Sequence, residues 1–522
     1  MGFTNIDYIV FFGYIFFIVG LGLWVSREKD GHEKNAQDYF LASRALPWWA
    51  VGASIIAANI SAEQVIGMSG SGYVIGLAIA SYEWTAAIAL IVVAKYFLPI
   101  LLEKKIYTMP QFLEIRFDRR VRTSLAVFWL LVYIFVNLTS VLYLGALALQ
   151  SIMNVPLVYG IIGLAVFSSL YTIYGGLKAV AWTDVVQVVV LIGGGLLTSY
   201  MALNAVAGGE GMFAGLSELV RQAPDKFDMI LSPDNPNYAQ MPGLAVLIGG
   251  LWIAHFFYWG CNQYITQRAL AAKSLAESQR GLIFAGYLKL LLPLIVVIPG
   301  IAAYVLNPEL PKPDESYAWL LNNFVPSGLK GLAFAALIAA IVSSLSSMVN
   351  STATIFSMDI YKTLINPESS ERNLVKTGRI SSVVALIIAV MVAPNLSTLD
   401  QAFQYIQEFT GFVSPGIFAI FIFGLFWKKA TTNAALWVAI LAIPLSLAFR
   451  LLLPEMPFLN RMGIVFILLS ILMVVISLRE GKGEADAKGI EVDRKLFATD
   501  GLFNAGAIGI FGILAVLYTV YW

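Results

Sequence analysis

The 522-residue chain is 59% hydrophobic and only 12% charged. That is about half the charge of a soluble domain, which excludes an ordinary soluble enzyme, a disordered chain and a nucleic-acid binder. The 33 Lys and Arg balance 32 Asp and Glu, and one cysteine (Cys261) with two histidines (His32, His255) excludes an internal disulfide and argues against a thiolate or histidine metal centre.

What remains is an all-α polytopic membrane protein. A helix needs about 20 apolar residues to cross the hydrocarbon core. By that measure the sequence predicts about 14 transmembrane helices: 5–26, 46–72, 74–102, 123–152, 157–174, 180–207, 243–268, 276–306, 328–361, 376–395, 399–427, 432–453, 461–478 and 502–521. The first has no basic residue before Asp7 and no small-residue cleavage site after it, so it reads as a mature helix. Loops after odd-numbered spans carry 25 basic residues, Arg268 among them, against 6 in loops after even-numbered spans. The bias places the odd loops in the cytoplasm and both termini outside.

Taken in chain order, polar residues inside these spans mark candidate sites, because they cost free energy unless paired or hydrated. The second span reads Ala57-Ala58-Asn59-Ile60-Ser61-Ala62-Glu63-Gln64, with Gly67, Gly70 and Gly72 following. Small residues alone would suit close helix packing. Glu63 and Gln64 are too large for that, so a broken helix with free carbonyls lining a cavity is expected. Glu83 of the third span and Lys289 of the eighth are isolated charges that suggest a buried pair across a cavity. Asp184, near the cytoplasmic start of the sixth span, is a candidate on an ion exit path.

The stretch 208–242 is an external loop with one amphipathic run, Met212 to Gln222. The seventh span places His255, Tyr258 and Trp259 on one face, then Gly260, Asn262 and Gln263, which again suggests a break. The ninth places Ala340, Ser343 and Ser344 on one face. Na⁺ is a hard cation that takes oxygens, and the Ala57 and Ile60 carbonyls with those hydroxyls would make a neutral oxygen cage. Phe403, Gln407 and Glu408 follow in the eleventh span. Aromatic planes with amides and an ion pair suit a sugar, whose apolar face stacks while its hydroxyls find donors and acceptors. No nucleophile with a histidine partner and no phosphate-binding loop points to an enzyme.

Spans two to six and seven to eleven form two sets of five, each opening on an interrupted helix. An odd number per set inverts the second relative to the first and points to a midplane site. The organisation expected is therefore 1–45, a first helix and cytoplasmic loop; 46–207, the first repeat; 208–242, the external loop; 243–453, the second repeat with the following span; and 454–522, the last two spans.

The run from Ala57 to Gln64, with Tyr82-Glu83-Trp84, Ile173-Tyr174-Gly175-Gly176-Leu177, Trp182-Thr183-Asp184, Ile341-Val342-Ser343-Ser344 and Gln404-Tyr405-Ile406-Gln407-Glu408, resembles the sodium:solute symporter family, nearest to its bacterial sodium/galactose symporters. The resemblance runs nearly end to end. It implies a LeuT-like core of two inverted five-helix repeats in the inner membrane, transporting Na⁺ together with a sugar. It implies sugar contacts at Asn59, Gln64, Glu83, Lys289 and Gln407, an inner gate at Tyr258, and an outer gate at Met68, Tyr82 and Phe403. It implies Na⁺ ligands in the backbone oxygens of Ala57, Ile60 and Ala340 and the hydroxyls of Ser343 and Ser344. Two positions depart: His255 stands where galactose carriers have an asparagine, and Ala86 where they have a serine. His255 is therefore a further candidate for substrate contact, and myo-inositol or another polyol is an alternative substrate. A sugar-gated sensor or channel on the same fold is the other alternative. Oligomeric state is not legible in the sequence.

Overall fold

The computed structural model describes residues 3–27, 34–398 and 402–522; His32 lies outside them. Backbone groups in hydrocarbon must be satisfied within their own segment, and the described residues are accordingly helical, with one isolated bridge, Leu46 to Ala272, and no strand.

In chain order the main helices are α1 (Asn5–Val25), α2 (Trp48–Asn59), α3 (Glu63–Val74), α4 (Leu77–Glu103), α5 (Arg119–Met153) and α6 (Leu157–Val206). The amphipathic surface helix α7 (Met212–Gln222) falls where the sequence predicts it. Then come α8 (Leu251–Phe256), α9 (Gln263–Leu270), α10 (Leu275–Leu306), α11 (Leu329–Ile365) and α12 (Glu371–Leu396). The chain ends with α13 (Ala402–Gly411), α14 (Ser414–Phe426), α15 (Thr432–Leu452), α16 (Phe458–Glu480) and α17 (Gly501–Val520).

Among the described residues, 10 helices are long and apolar enough to cross a membrane, or 11 when α2 and α3, bent by 63° at their break, count as one span. The expected spans 157–174 and 180–207 form one 50-residue element, α6. At 1.5 Å per residue it would measure about 75 Å if straight, far more than the ~30 Å core. It turns at Gly176 (φ +64°, ψ −155°), where any Cβ would lie 2.4 Å from the Tyr39 carbonyl oxygen, so only glycine serves. The expected spans 243–268 and 399–427 are each divided into shorter helices.

Burial separates the helices by role. In the most apolar window of α11, 94% of residues are buried, against 17% in α1 and in α17. α6 runs along α11, and α10 packs on α2, α3 and α4. These helices form the inner bundle, while α1, α15, α16 and α17 lie at its rim. Rim side chains such as Ile9, Phe16, Leu451 and Ile508 are at least 70% exposed, an arrangement suited to lipid rather than water.

Candidate substrate and ion sites

Two broken helices organise the centre of the molecule. In the first, α2 ends at Asn59, Ile60 turns extended (ψ 106°), and the chain resumes through a π turn at Glu63–Met68. The N–H and hydroxyl of Ser61 both donate to Gln64 Oε1 at 3.0 Å. The Ala57 carbonyl thereby loses the N–H that an unbroken helix would bring to it. In the second, α8 runs through a π turn (Phe257–Cys261), Asn262 is extended (ψ 126°), and α9 begins at Gln263. Tyr133 of α5 pins that break by donating to Asn262 Oδ1 and accepting from the Tyr264 N–H at 3.3 Å.

On one side of the first break lies the candidate ion site. The Ser344 hydroxyl of α11 reaches the carbonyl oxygens of Ala58 at 2.9 Å and Ile60 at 3.2 Å. Ser343 donates to Asp184 Oδ1, while Ser54 donates to Asp184 Oδ2 at 2.5 Å. Ile60, Ser343, Ser344 and Asp184 are thus brought together, with Ala57 and Ala340 buried on the same two helices. Ala58, rather than Ala57, supplies the second carbonyl that meets Ser344.

Arg268, counted from sequence among the cytoplasmic loop residues, is instead fully buried on α9. It pairs with Asp184 at 3.3 Å and donates to the Ser54 hydroxyl at 2.7 Å, to Ser347 and to the Tyr264 carbonyl. An acid at membrane depth required a cation; that requirement is the signal that could have placed Arg268 opposite Asp184.

On the other side of the break is a cavity. It is lined by Asn59 and Gln64 from the first break, Tyr82 and Glu83 from α4, Ala254 and His255 from α8, and Phe257, Tyr258 and Trp259 from the turn that follows. Lys289 of α10 and Phe403, Gln407 and Thr410 of α13 complete it. The six residues expected to contact substrate and the inner gate Tyr258 all line this one space, as do the expected outer gates Tyr82 and Phe403. Met68 is fully buried and outside the lining; its neighbour Gly67 lies against Phe403, whose Cβ is 2.8 Å from the position of an added Cβ. Ala86 is also buried and outside the lining.

The lining is electrically balanced. Lys289 Nζ donates to Glu83 Oε2, and it sits 4.9 Å from the Trp259 ring centroid. Asn59 Nδ2 donates to the Tyr258 hydroxyl at 3.0 Å, and the Tyr264 hydroxyl joins Tyr258 at 2.5 Å. Tyr82 and Phe403 meet edge to face with ring centroids 5.5 Å apart. Among the described residues, Asn59 Oδ1 and the Tyr82 hydroxyl are buried without a protein partner. Each such atom costs about 1–3 kcal/mol, which the hydroxyls of a polar ligand would recover. The cavity has a volume of about 60 Å³, below the ~300 Å³ at which small-molecule sites begin.

The sequence profile of the sodium:solute symporter family matches residues 39–442. The chain belongs to the sodium:solute symporter family. It is 55% identical to a sodium/glucose cotransporter of Vibrio parahaemolyticus, covering 100% of this chain and 99% of the relative. It is 33% identical to sodium/myo-inositol cotransporter 2 of Oryctolagus cuniculus, covering 82% of this chain and 67% of that relative. A substrate-bound, outward-open Na⁺-coupled sialic acid symporter is similar in structure, with a TM-score of 0.81 at 26% identity over 94% of this chain and 99% of its own. A nucleobase-cation-symport-1 family transporter in a closed conformation shares the fold alone, with a TM-score of 0.58 at 16% identity over 87% of this chain and 98% of its own. The architecture is the LeuT-like one shared by Na⁺-coupled symporters.

Proposed function

We propose that the chain is a carrier, not an enzyme, that couples inward Na⁺ movement to uptake of a neutral sugar of the glucose or galactose type by alternating access. One observation carries this reading. A single helix break presents carbonyl oxygens to Ser344 on one side and Asn59 and Gln64 to the cavity on the other, within the seven residues 58–64.

The residues take definite parts. Na⁺ is held by oxygens of Ala57, Ile60, Ala340, Ser343 and Ser344, with Asp184 on its way to the cytoplasm. The sugar is held by Asn59, Gln64, Glu83, His255, Lys289 and Gln407. Tyr258 closes the cavity inward, and Tyr82, Phe403 and Met68 close it outward. A cation drawn to the free carbonyls fixes the conformation of the break, and the break fixes Asn59 and Gln64. Because Glu83 and Lys289 neutralise each other, the site receives a neutral solute without a net charge of its own. The two broken helices head two inverted repeats, one over 46–207 and one within 243–453, which also holds the following span, in fourteen crossings of the inner membrane with both termini outside.

The test is uptake of labelled glucose and galactose into proteoliposomes under an inward Na⁺ gradient or an equal K⁺ gradient. Na⁺-dependent accumulation above the external concentration supports the proposal. Equal entry under both gradients would indicate a channel, and binding without entry a sensor. Competition by myo-inositol stronger than by either hexose would move the substrate to a polyol.

A further inference from the structure

His255 stands in the cavity wall, and its ring is held from behind by a residue that the sequence pattern did not single out. Thr85 Oγ1 lies 2.7 Å from His255 Nε2 and 2.6 Å from the carbonyl oxygen of Ser81, one helical turn back. A hydroxyl carries one proton. The Ser81 carbonyl can only accept, so it takes that proton, and Nε2 must be the donor to Thr85. His255 is 4% exposed. The sole carboxylate among the lining residues, Glu83, is committed to Lys289, so nothing there balances an imidazolium, and the ring is neutral. A neutral imidazole protonated at Nε2 has a bare Nδ1. Among the described residues no group donates to that nitrogen.

We infer that Thr85 is a positioning residue for substrate selection: it fixes His255 as the Nε2–H tautomer and so reserves Nδ1 as an acceptor for one hydroxyl of the solute. An asparagine amide in this place could meet a solute group as donor or as acceptor. The Thr85–His255 pair can only accept, so it demands a solute hydroxyl that donates. This inference rests on the cavity being the sugar site.

Two readouts test it, one of which does not depend on transport. With His32→Gln as background, His255 is the only imidazole in the chain. Its ring nitrogens can then be read by ¹⁵N solid-state NMR of histidine-labelled protein in lipid bilayers. The expected spectrum shows a protonated Nε2 and a bare Nδ1, retained in Thr85→Ser and lost or mixed in Thr85→Val. A protonated Nδ1 in the parent, or an unchanged spectrum in Thr85→Val, would overturn the assignment even if transport were normal.

The second readout is competition for Na⁺-driven uptake by a panel of hexoses, each with one hydroxyl replaced by fluorine, which cannot donate. One position should be disfavoured about tenfold by the parent and by Thr85→Ser, and not by Thr85→Val. Thr85→Val should raise the half-saturating sugar concentration about tenfold, with the maximal rate and half-saturating Na⁺ little changed. A Thr85→Val carrier with the parent's fluoro-sugar profile would refute the selection role. Absence of Na⁺-driven uptake in the parent would refute the sugar-symport reading instead, with the tautomer still readable.

Discussion

Removing one member of the Glu83–Lys289 pair should damage the protein more than removing both. The two side chains are 3% and 1% exposed. Their remaining surroundings are aromatic and amide groups, with the Trp259 ring beneath the ammonium. Lys289→Met leaves the carboxylate of Glu83 buried with no cation, and Glu83→Gln leaves the ammonium without its anion. Breaking a buried pair from one side costs about 3–5 kcal/mol, while replacing both partners by neutral groups can be close to neutral. At ~1.4 kcal/mol per decade, each single substitution should lower the folded-to-unfolded ratio by roughly 10²–10³·⁵. The assay is a double-mutant cycle of Glu83→Gln, Lys289→Met and the pair, followed by unfolding of purified protein in a mild detergent. The double variant should recover at least about 2 kcal/mol relative to the sum of the singles, while sugar uptake stays lost in all three. Singles that cost under ~0.5 kcal/mol, or costs that simply add, would refute the buried pair.

Ser344→Ala removes the hydroxyl that meets Ala58 and Ile60; the half-saturating Na⁺ concentration for uptake should rise about tenfold, with sugar affinity at saturating Na⁺ changed less, and an unshifted Na⁺ curve would reject the ion site. Arg268→Met should strand Asp184 and Asp184→Asn should strand Arg268, each lowering unfolding stability by about 3–5 kcal/mol with partial recovery in the double variant; additive losses would show that the pair is not coupled. Gly176→Ala forces a Cβ against the Tyr39 carbonyl at a positive φ and should cost about 2 kcal/mol or more in detergent unfolding; an unchanged transition would show that the turn in α6 relaxes.

The two helix breaks were legible because polar residues sit where lipid forbids them: Asn59, Ser61 and Gln64 in one run, Asn262 and Gln263 in the other. The candidate substrate residues were equally legible, since each is a polar or aromatic exception in an apolar span, and they line one cavity. What the sequence concealed is pairing at a distance. Arg268 looks like a loop cation because charge at the end of a span usually lies in water. Its partners Asp184 and Ser347 are 84 and 79 residues away, and no local pattern announces them. Arg116 is hidden in the same way: it is fully buried and donates to the carbonyls of Gly424, Trp427, Lys428 and Ala430, capping the end of α14. Thr85, beside Glu83, is hidden because a single threonine in a helix ordinarily bonds its own backbone. It does so here, and that bond is what commits His255. Span number was blurred by the same breaks that revealed the site: 243–268 becomes α8 and α9, and 399–427 becomes α13 and α14.

If one helix break serves both ion and sugar, coupling must run in either direction, since linkage between two bound ligands is reciprocal. A single Na⁺ moving through 100 mV releases about 2.3 kcal/mol, and a tenfold concentration ratio about 1.4 kcal/mol. Run in reverse, a sugar gradient should therefore be able to drive Na⁺. The decisive measurement is ²²Na⁺ entry into proteoliposomes with equal Na⁺ on both sides, the membrane potential clamped at zero and a hundredfold inward gradient of sugar. The coupled site predicts transient ²²Na⁺ accumulation above equilibrium that follows sugar entry and that in Ser344→Ala requires about tenfold more Na⁺. Sugar entry that leaves ²²Na⁺ at its equilibrium level would contradict a shared break coupling the two.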